Sequence, residues 1–181
     1  MDEKKYIYLI KAHYDESGYR ALGEATWKLF WQKKMQTRSY PIFGAIAVIL
    51  LFLLMQRFST LGAIGKIGYV LGIAFFISLF WLSNVTGRRK IARRTLALAR
   101  ERGTVPLDVT FHFEKNRILA VFGEEEASVR YDKTTYYVTI GEWEILFFGS
   151  GAYLWKTSDL EEAASFHEFL EAQTGLKRHN L

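Results

Sequence analysis

The hydrophobic pattern changes character twice along the chain. Residues 39–56, SYPIFGAIAVILLFLLMQ, carry no charge over 18 positions, and residues 67–87, IGYVLGIAFFISLFWLSNVTG, carry none over 21. Apolar side chains run all round both segments without a polar stripe, unlike the amphipathic helices of a globular core. A helix needs about 20 mainly apolar residues, in a range of roughly 17–25, to cross a bilayer. The pattern predicts two transmembrane spans, about 39–57 and 63–85, joined by the short link RFST into a tight helical hairpin. The first apolar run starts near residue 41, too deep for a cleaved signal peptide.

Beyond residue 105 the period becomes two. In LDVTFHFE, residues 107–114, Leu107, Val109, Phe111 and Phe113 alternate with Asp108, Thr110, His112 and Glu114. Further short strands are predicted at 117–123, 127–132, 135–140, 143–148 and 152–156. Lys115-Asn116, the acidic tip Glu124–Glu126, Lys133-Thr134, Gly141-Glu142 and Gly149-Ser150-Gly151 supply the turns. A helix follows. Ser158-x-x-Glu161 reads as its capping box, Leu160, Ala163, Phe166, Phe169 and Leu170 as its buried face, and Gly175 as its stop.

One strand signal stands apart, in KKYIYLIKAH at 4–13. Its backbone groups need partners, and the C-terminal sheet is the one predicted place to find them. The expected fold is therefore an α+β membrane protein: a two-helix transmembrane hairpin inserted after the first strand of an antiparallel seven-stranded sheet or barrel, closed by a C-terminal helix. The expected divisions are an N-terminal strand and amphipathic helix at 1–38, the hairpin at 39–87, a basic linker helix at 88–104 and the sheet domain at 105–181.

Charge adds an orientation. Residues 1–102 hold 17 Lys+Arg against 6 Asp+Glu, a net of +11, and residues 103–181 hold 7 against 13, a net of −6. Lys28, Lys33, Lys34 and Arg38 precede the first apolar segment, and Arg88, Arg89, Lys90, Arg93 and Arg94 follow the second, while Arg57 and Lys66 alone lie between. This bias predicts both termini in the cytoplasm of a multi-pass inner-membrane protein, with these basic side chains as anchors to anionic lipid headgroups. Read alone, GRRKIARRTLALARER at 87–102 suggests nucleic acid. Behind an uncharged segment it reads as a surface anchor, and no nucleic-acid partner is expected. Trp27, Phe30 and Trp31 suit either the headgroup region or packing onto the sheet domain. Gly68 and Gly72 form a GxxxG that permits close helix packing, within the hairpin or in a homo-oligomer.

Seven antiparallel strands closed by one helix resemble the pleckstrin-homology-like architecture. With two apolar helices ahead of the sheet, the chain resembles the YcxB-like family of small bacterial membrane proteins. That resemblance rests on element order, on Tyr153-Leu154-Trp155-Lys156-Thr157-Ser158-Asp159-Leu160 and on Phe166-His167-Glu168-Phe169-Leu170. Family members often carry a proline just before the lysine of the last strand, where Trp155 stands here. The resemblance implies no catalytic residues.

Candidate chemistry is sparse. There is no cysteine, hence no disulfide, thiol nucleophile or cysteine-ligated metal. None of HExxH, GxSxG, GxxxxGK[ST] or GxGxxG occurs. His13 and His112 come close only if their strands are neighbours, and two histidines do not make a metal site. His13 and His112 read as solvent-facing strand histidines, and the apolar segments hold no Asp, Glu or His for a proton path. The expected function is a membrane-anchored binding or scaffold protein, without enzyme activity or cofactor, with a protein partner or a homo-oligomer. The alternative is a subunit of a small oligomeric channel or transporter.

Overall fold

The computed structural model of the protein describes residues 6–32, 34, 35, 37, 40–57, 60, 62–149 and 151–181. In chain order the elements are β1 (Tyr8–Tyr14), α1 (Glu16–Thr26), a π-helical turn (Trp27–Gln32), α2 (Tyr40–Arg57), α3 (Ala63–Glu101), β2 (Leu107–Phe113), β3 (Arg117–Phe122), β4 (Glu125–Arg130), a 3-10 turn (Tyr131–Lys133), β5 (Thr134–Ile140), β6 (Trp143–Phe148), β7 (Gly151–Lys156), a second 3-10 turn (Thr157–Asp159), α4 (Ala163–Thr174) and β8 (Arg178–Asn180). They form two compact units, Met1–Ala25 with Ala92–Leu181, and Thr26–Ile91.

In the first unit β1 pairs antiparallel with β2, from Tyr8 opposite Phe113 to Tyr14 opposite Leu107. The expected single seven-stranded sheet is corrected to two four-stranded sheets of order β1-β2-β3-β4 and β7-β6-β5-β8. The reason lies between β4 and β5. Tyr131 buries its ring in the intervening 3-10 turn and donates its hydroxyl to the Glu114 carbonyl at 2.9 Å, so the chain leaves the first ladder there. β5 then pairs with β6 and, in parallel, with β8. The eighth strand, Arg178-His179-Asn180, is exposed throughout and has no apolar alternation to announce it.

The core of this unit is aromatic. Phe111 and Phe113 of the first sheet meet Trp155 of the second at ring-centroid distances of 5.8 and 5.9 Å, and Phe166 of α4 packs edge-on to Phe113 at 4.9 Å. The sheets also touch through polar atoms, where the Leu154 N–H donates to the Tyr14 hydroxyl at 2.9 Å. α4 begins at Ala163, so the expected Ser158–Glu161 box is not its cap. Ser158 lies in the 3-10 turn, where Asp159 accepts the Lys156 N–H at 3.0 Å. Gly175 ends α4 in the left-handed conformation, φ 68°, and donates its N–H to the Glu171 carbonyl at 2.9 Å.

Small residues bring α1 against the last turns of α3. Ala21, Gly23 and Ala25 are buried on α1, and Leu96 and Ala99 on α3, while Gly18 lies against the Trp143 ring of β6. A Cβ placed on Gly23 would lie 2.5 Å from the Ala92 Cα. Asp15 starts α1 by accepting the Gly18 N–H at 2.9 Å and the Ser17 hydroxyl at 2.6 Å.

In the second unit α2 and α3 pack as a hairpin. Tyr69 donates its hydroxyl to the Leu50 carbonyl at 3.2 Å, and the Phe43 and Phe76 rings meet at a tilt of 54° with centroids 5.5 Å apart. Trp27 is buried over Gly87, where an added Cβ would lie 2.7 Å from its ring. Phe30 and Trp31 are exposed, and Lys34 places its ammonium 5.4 Å from the Trp31 ring centroid. Among the described residues no helix is long and apolar enough to cross a membrane. The strictly apolar stretch of α2 runs from Ile42 to Met55, between Tyr40-Pro41 and Gln56-Arg57. That is about 21 Å of helix against a hydrocarbon core of about 30 Å. In α3 the run between Lys66 and Ser83 is interrupted by Tyr69 and Ser78, and with both counted it still gives only about 24 Å. The transmembrane hairpin, and with it the multi-pass inner-membrane placement with cytoplasmic termini, is corrected accordingly. An uncharged segment is longer than the apolar segment inside it.

Candidate functional site

The densest polar cluster is built around Glu144, in the middle of β6, a charged side chain that is 0 % exposed. Its Oε2 accepts from the Tyr137 hydroxyl of β5 and from Trp155 Nε1 of β7 at 3.0 Å. Its Oε1 accepts from the Thr157 hydroxyl at 3.1 Å, meets His167 Nε2 of α4 at 2.8 Å, and lies 3.4 Å from the Arg178 guanidinium of β8. One carboxylate thus ties together six consecutive elements from β5 to β8. A buried charge is tolerated only when paired and hydrogen-bonded, and five partners meet that condition.

The same arrangement limits its chemistry. A general base needs a lone pair open to substrate, and both oxygens of Glu144 are occupied beneath the surface. Burial, with Glu144 beside it, pushes the Tyr137 phenol far above its ordinary range. Burial also raises Tyr14 and takes Tyr153 to about 12, so these phenols stay protonated at neutral pH. Among the described residues no group of three or more His, Asp or Glu is placed to hold a metal ion.

Two surface depressions flank the sheets. An open cleft of about 760 Å³ includes Lys115, Arg117 and Arg130; Glu114 pairs with Arg117 at 2.8 Å and Asp132 with Arg130 at 3.1 Å, so two of its three cations are offset within the cleft. A groove of about 310 Å³ runs between β1 and the start of α4, with Tyr8 and Phe166 within it and Glu161 and Glu162 among its lining.

The residues singled out from sequence are distributed rather than gathered. Lys33 and Arg38 lie outside the described residues. Lys28 is half-buried and Lys34 exposed, beyond α1. Arg88, Arg89, Lys90, Arg93 and Arg94 are exposed on α3. Lys90, Arg93 and Arg94 fall away from the face on which Ala92, Thr95, Leu96 and Ala99 are covered, at spacings of three and four, while Arg89 flanks that face. A Cβ on Gly68 or Gly72 meets nothing within 4 Å among the described residues, whereas Gly23 and Gly87 make close contacts. His13 bonds Asp108 at 2.7 Å, and His112 faces Leu9 in the ladder, so the two histidines stand four register steps apart, roughly 14 Å. His167, on α4, is the histidine drawn into the polar cluster, 2.8 Å from Glu144. The sequence signal for the cluster was Glu144 itself, a lone acid inside WEILFF.

Comparison with known proteins finds no matching family model, no matching curated protein and no matching solved structure.

Proposed function

We propose that this chain is a non-catalytic scaffold protein, in which the sheet unit is a docking module and the helical hairpin associates with further copies of the chain. The observation that carries this reading is the apolar surface of the hairpin. Val48 is 65 % exposed, Phe75 65 % and Trp81 67 %, with Ile42, Ile49, Phe52, Val70, Leu71 and Ile77 exposed as well. Proteins that function as monomers in water rarely expose contiguous apolar patches beyond a few hundred Å², and larger ones mark association sites. The saturated Glu144 cluster supports a binding role over a catalytic one.

The test is the assembly state of the full chain, measured by chemical crosslinking and light scattering, with and without Val48→Lys and Phe75→Lys. A discrete oligomer that dissociates in the variants is the expected result. A wild-type chain that stays monomeric overturns the reading, and so does a chain that floats as a monomer with phosphatidylcholine vesicles, which assigns the apolar surface to lipid.

A further inference from the structure

Within the docking module, the groove beside β1 has the features of a strand-addition site. β1 is the edge of its sheet. Leu9 on β1 and Ile7 just before it are each 49 % exposed, and both line the groove. Natural proteins blunt exposed apolar edges with proline, lysine or a covering element, because an open edge templates another strand. Part of β1 is protected in this way, because β7 and the second 3-10 turn lie against it and Lys11 stands exposed on its outer face. At the Ile7 end the chain instead leaves a groove.

The base and rim of that groove differ in character. Tyr8 and Phe166 meet edge-on beneath it, with centroids 5.4 Å apart, Phe166 itself buried, so the apolar surface open to a ligand is that of Ile7, Leu9 and the half-buried Tyr8. Glu161 and Glu162 bring two exposed carboxylates to the rim, and among the described residues neither forms an ion pair. A strand beside β1 supplies backbone bonds, a pocket for one of its side chains supplies selectivity, and the acidic rim sets the favoured charge. A symmetric pairing of two β1 edges would bring the acidic rims of two copies onto the same isologous interface, which like charges oppose. The occupant is therefore a different chain.

We propose that this groove binds an extended segment of a partner protein in which a large apolar residue is flanked by Lys or Arg. This names the partner class of the docking module and rests on the scaffold reading above. The probe is a phage-displayed library of random linear peptides, panned against the full-length chain. The expected enrichment is an apolar residue between basic ones. A synthetic peptide of the enriched sequence should lose about tenfold or more in affinity to Glu161→Lys/Glu162→Lys, and a similar amount to Leu9→Asp. These side chains are exposed, so circular dichroism of the variants should match the wild type. Absence of enrichment, enrichment of acidic peptides, or binding that survives both variants overturns the proposal. Assembly measured on the same variants separates the two ideas. Loss of peptide binding with unchanged assembly supports the groove, while monomeric wild-type chain that still binds the peptide overturns the hairpin reading alone.

Discussion

The two units use apolar residues in opposite ways. In Met1–Ala25 with Ala92–Leu181, the large side chains turn inward until Phe111, Phe113, Trp155 and Phe166 are 0–1 % exposed, and the one buried charge has five partners. In Thr26–Ile91, two helices of high apolar content touch through a few groups and turn most of the rest outward. Two sheets and a helix enclose a volume, so each added aromatic ring finds further neighbours. Two helices enclose none and meet along one line only. The lesson is that apolar content does not measure self-sufficiency, because topology decides how much of that content the chain can cover by itself.

The two tryptophans Trp155 and Trp81 test this contrast most strongly. Trp155 is fully buried and donates to Glu144. Trp155→Ala should lower the stability of the sheet unit by about 3–5 kcal/mol, the usual cost of removing a buried aromatic side chain. Trp81 is 67 % exposed, so in a chain kept monomeric by Val48→Lys and Phe75→Lys, Trp81→Ala should change stability by no more than about 0.5 kcal/mol. Urea unfolding followed by near-ultraviolet circular dichroism measures both. Equal losses would mean that the hairpin has a closed core after all.

The same contrast explains what was legible in the sequence. The alternation of Val109, Phe111 and Phe113 with polar neighbours marks a strand with one covered face, and β2 lies there with those three buried. β6 gives no such signal, because Trp143 through Phe147 are all buried and the period of two disappears. Without that alternation nothing in the local sequence assigns Glu144 to the buried side. Its partners lie 7 to 34 positions away, at spacings set by the tertiary fold. The split into two sheets was hidden for a related reason: Tyr131 resembles any strand tyrosine until its hydroxyl finds the Glu114 carbonyl. In the hairpin the helices were visible, but the length of an uncharged run overstated the length of its apolar part.

Glycine sharpens the comparison at intermediate energy. Gly23 and Gly68 both lie inside helices, and the familiar GxxxG spacing belongs to Gly68 with Gly72. The close approach belongs to Gly23, where an added Cβ would press on the Ala92 backbone, which cannot move aside as a flexible side chain would. Gly23→Ala should therefore cost about 1–3 kcal/mol through overpacking. Gly68→Ala meets open space and should stabilise its helix by up to about 1 kcal/mol through propensity. Thermal unfolding of the two variants side by side gives the signs, and destabilisation by Gly68→Ala would place a partner helix against that face.

The smallest effect separates the units by acid sensitivity. Burial alone would raise the Asp15 carboxyl, but hydrogen bonds from Ser17 and Gly18, helped by Lys156, hold it below the usual carboxylate range. A depressed folded pKa gives stability that is present above the unfolded value of about 3.9 and is lost as the pH falls through the folded value. Asp15→Ala should cost about 1 kcal/mol at neutral pH by removing the start of α1. Asp15→Asn keeps an acceptor for the cap and removes the titration at that position. Residues 26–91 contain no Asp or Glu, so the hairpin has no carboxylate of its own to lose. Hydrogen-exchange protection factors, corrected for intrinsic rates, should therefore fall below about pH 4 at Gly18 in the wild type. They should fall less in Asp15→Asn, and stay level along Tyr40–Arg57 in both. Parallel loss in the two units would show that they unfold as one, and the contrast drawn between them would then be one of surface rather than of stability.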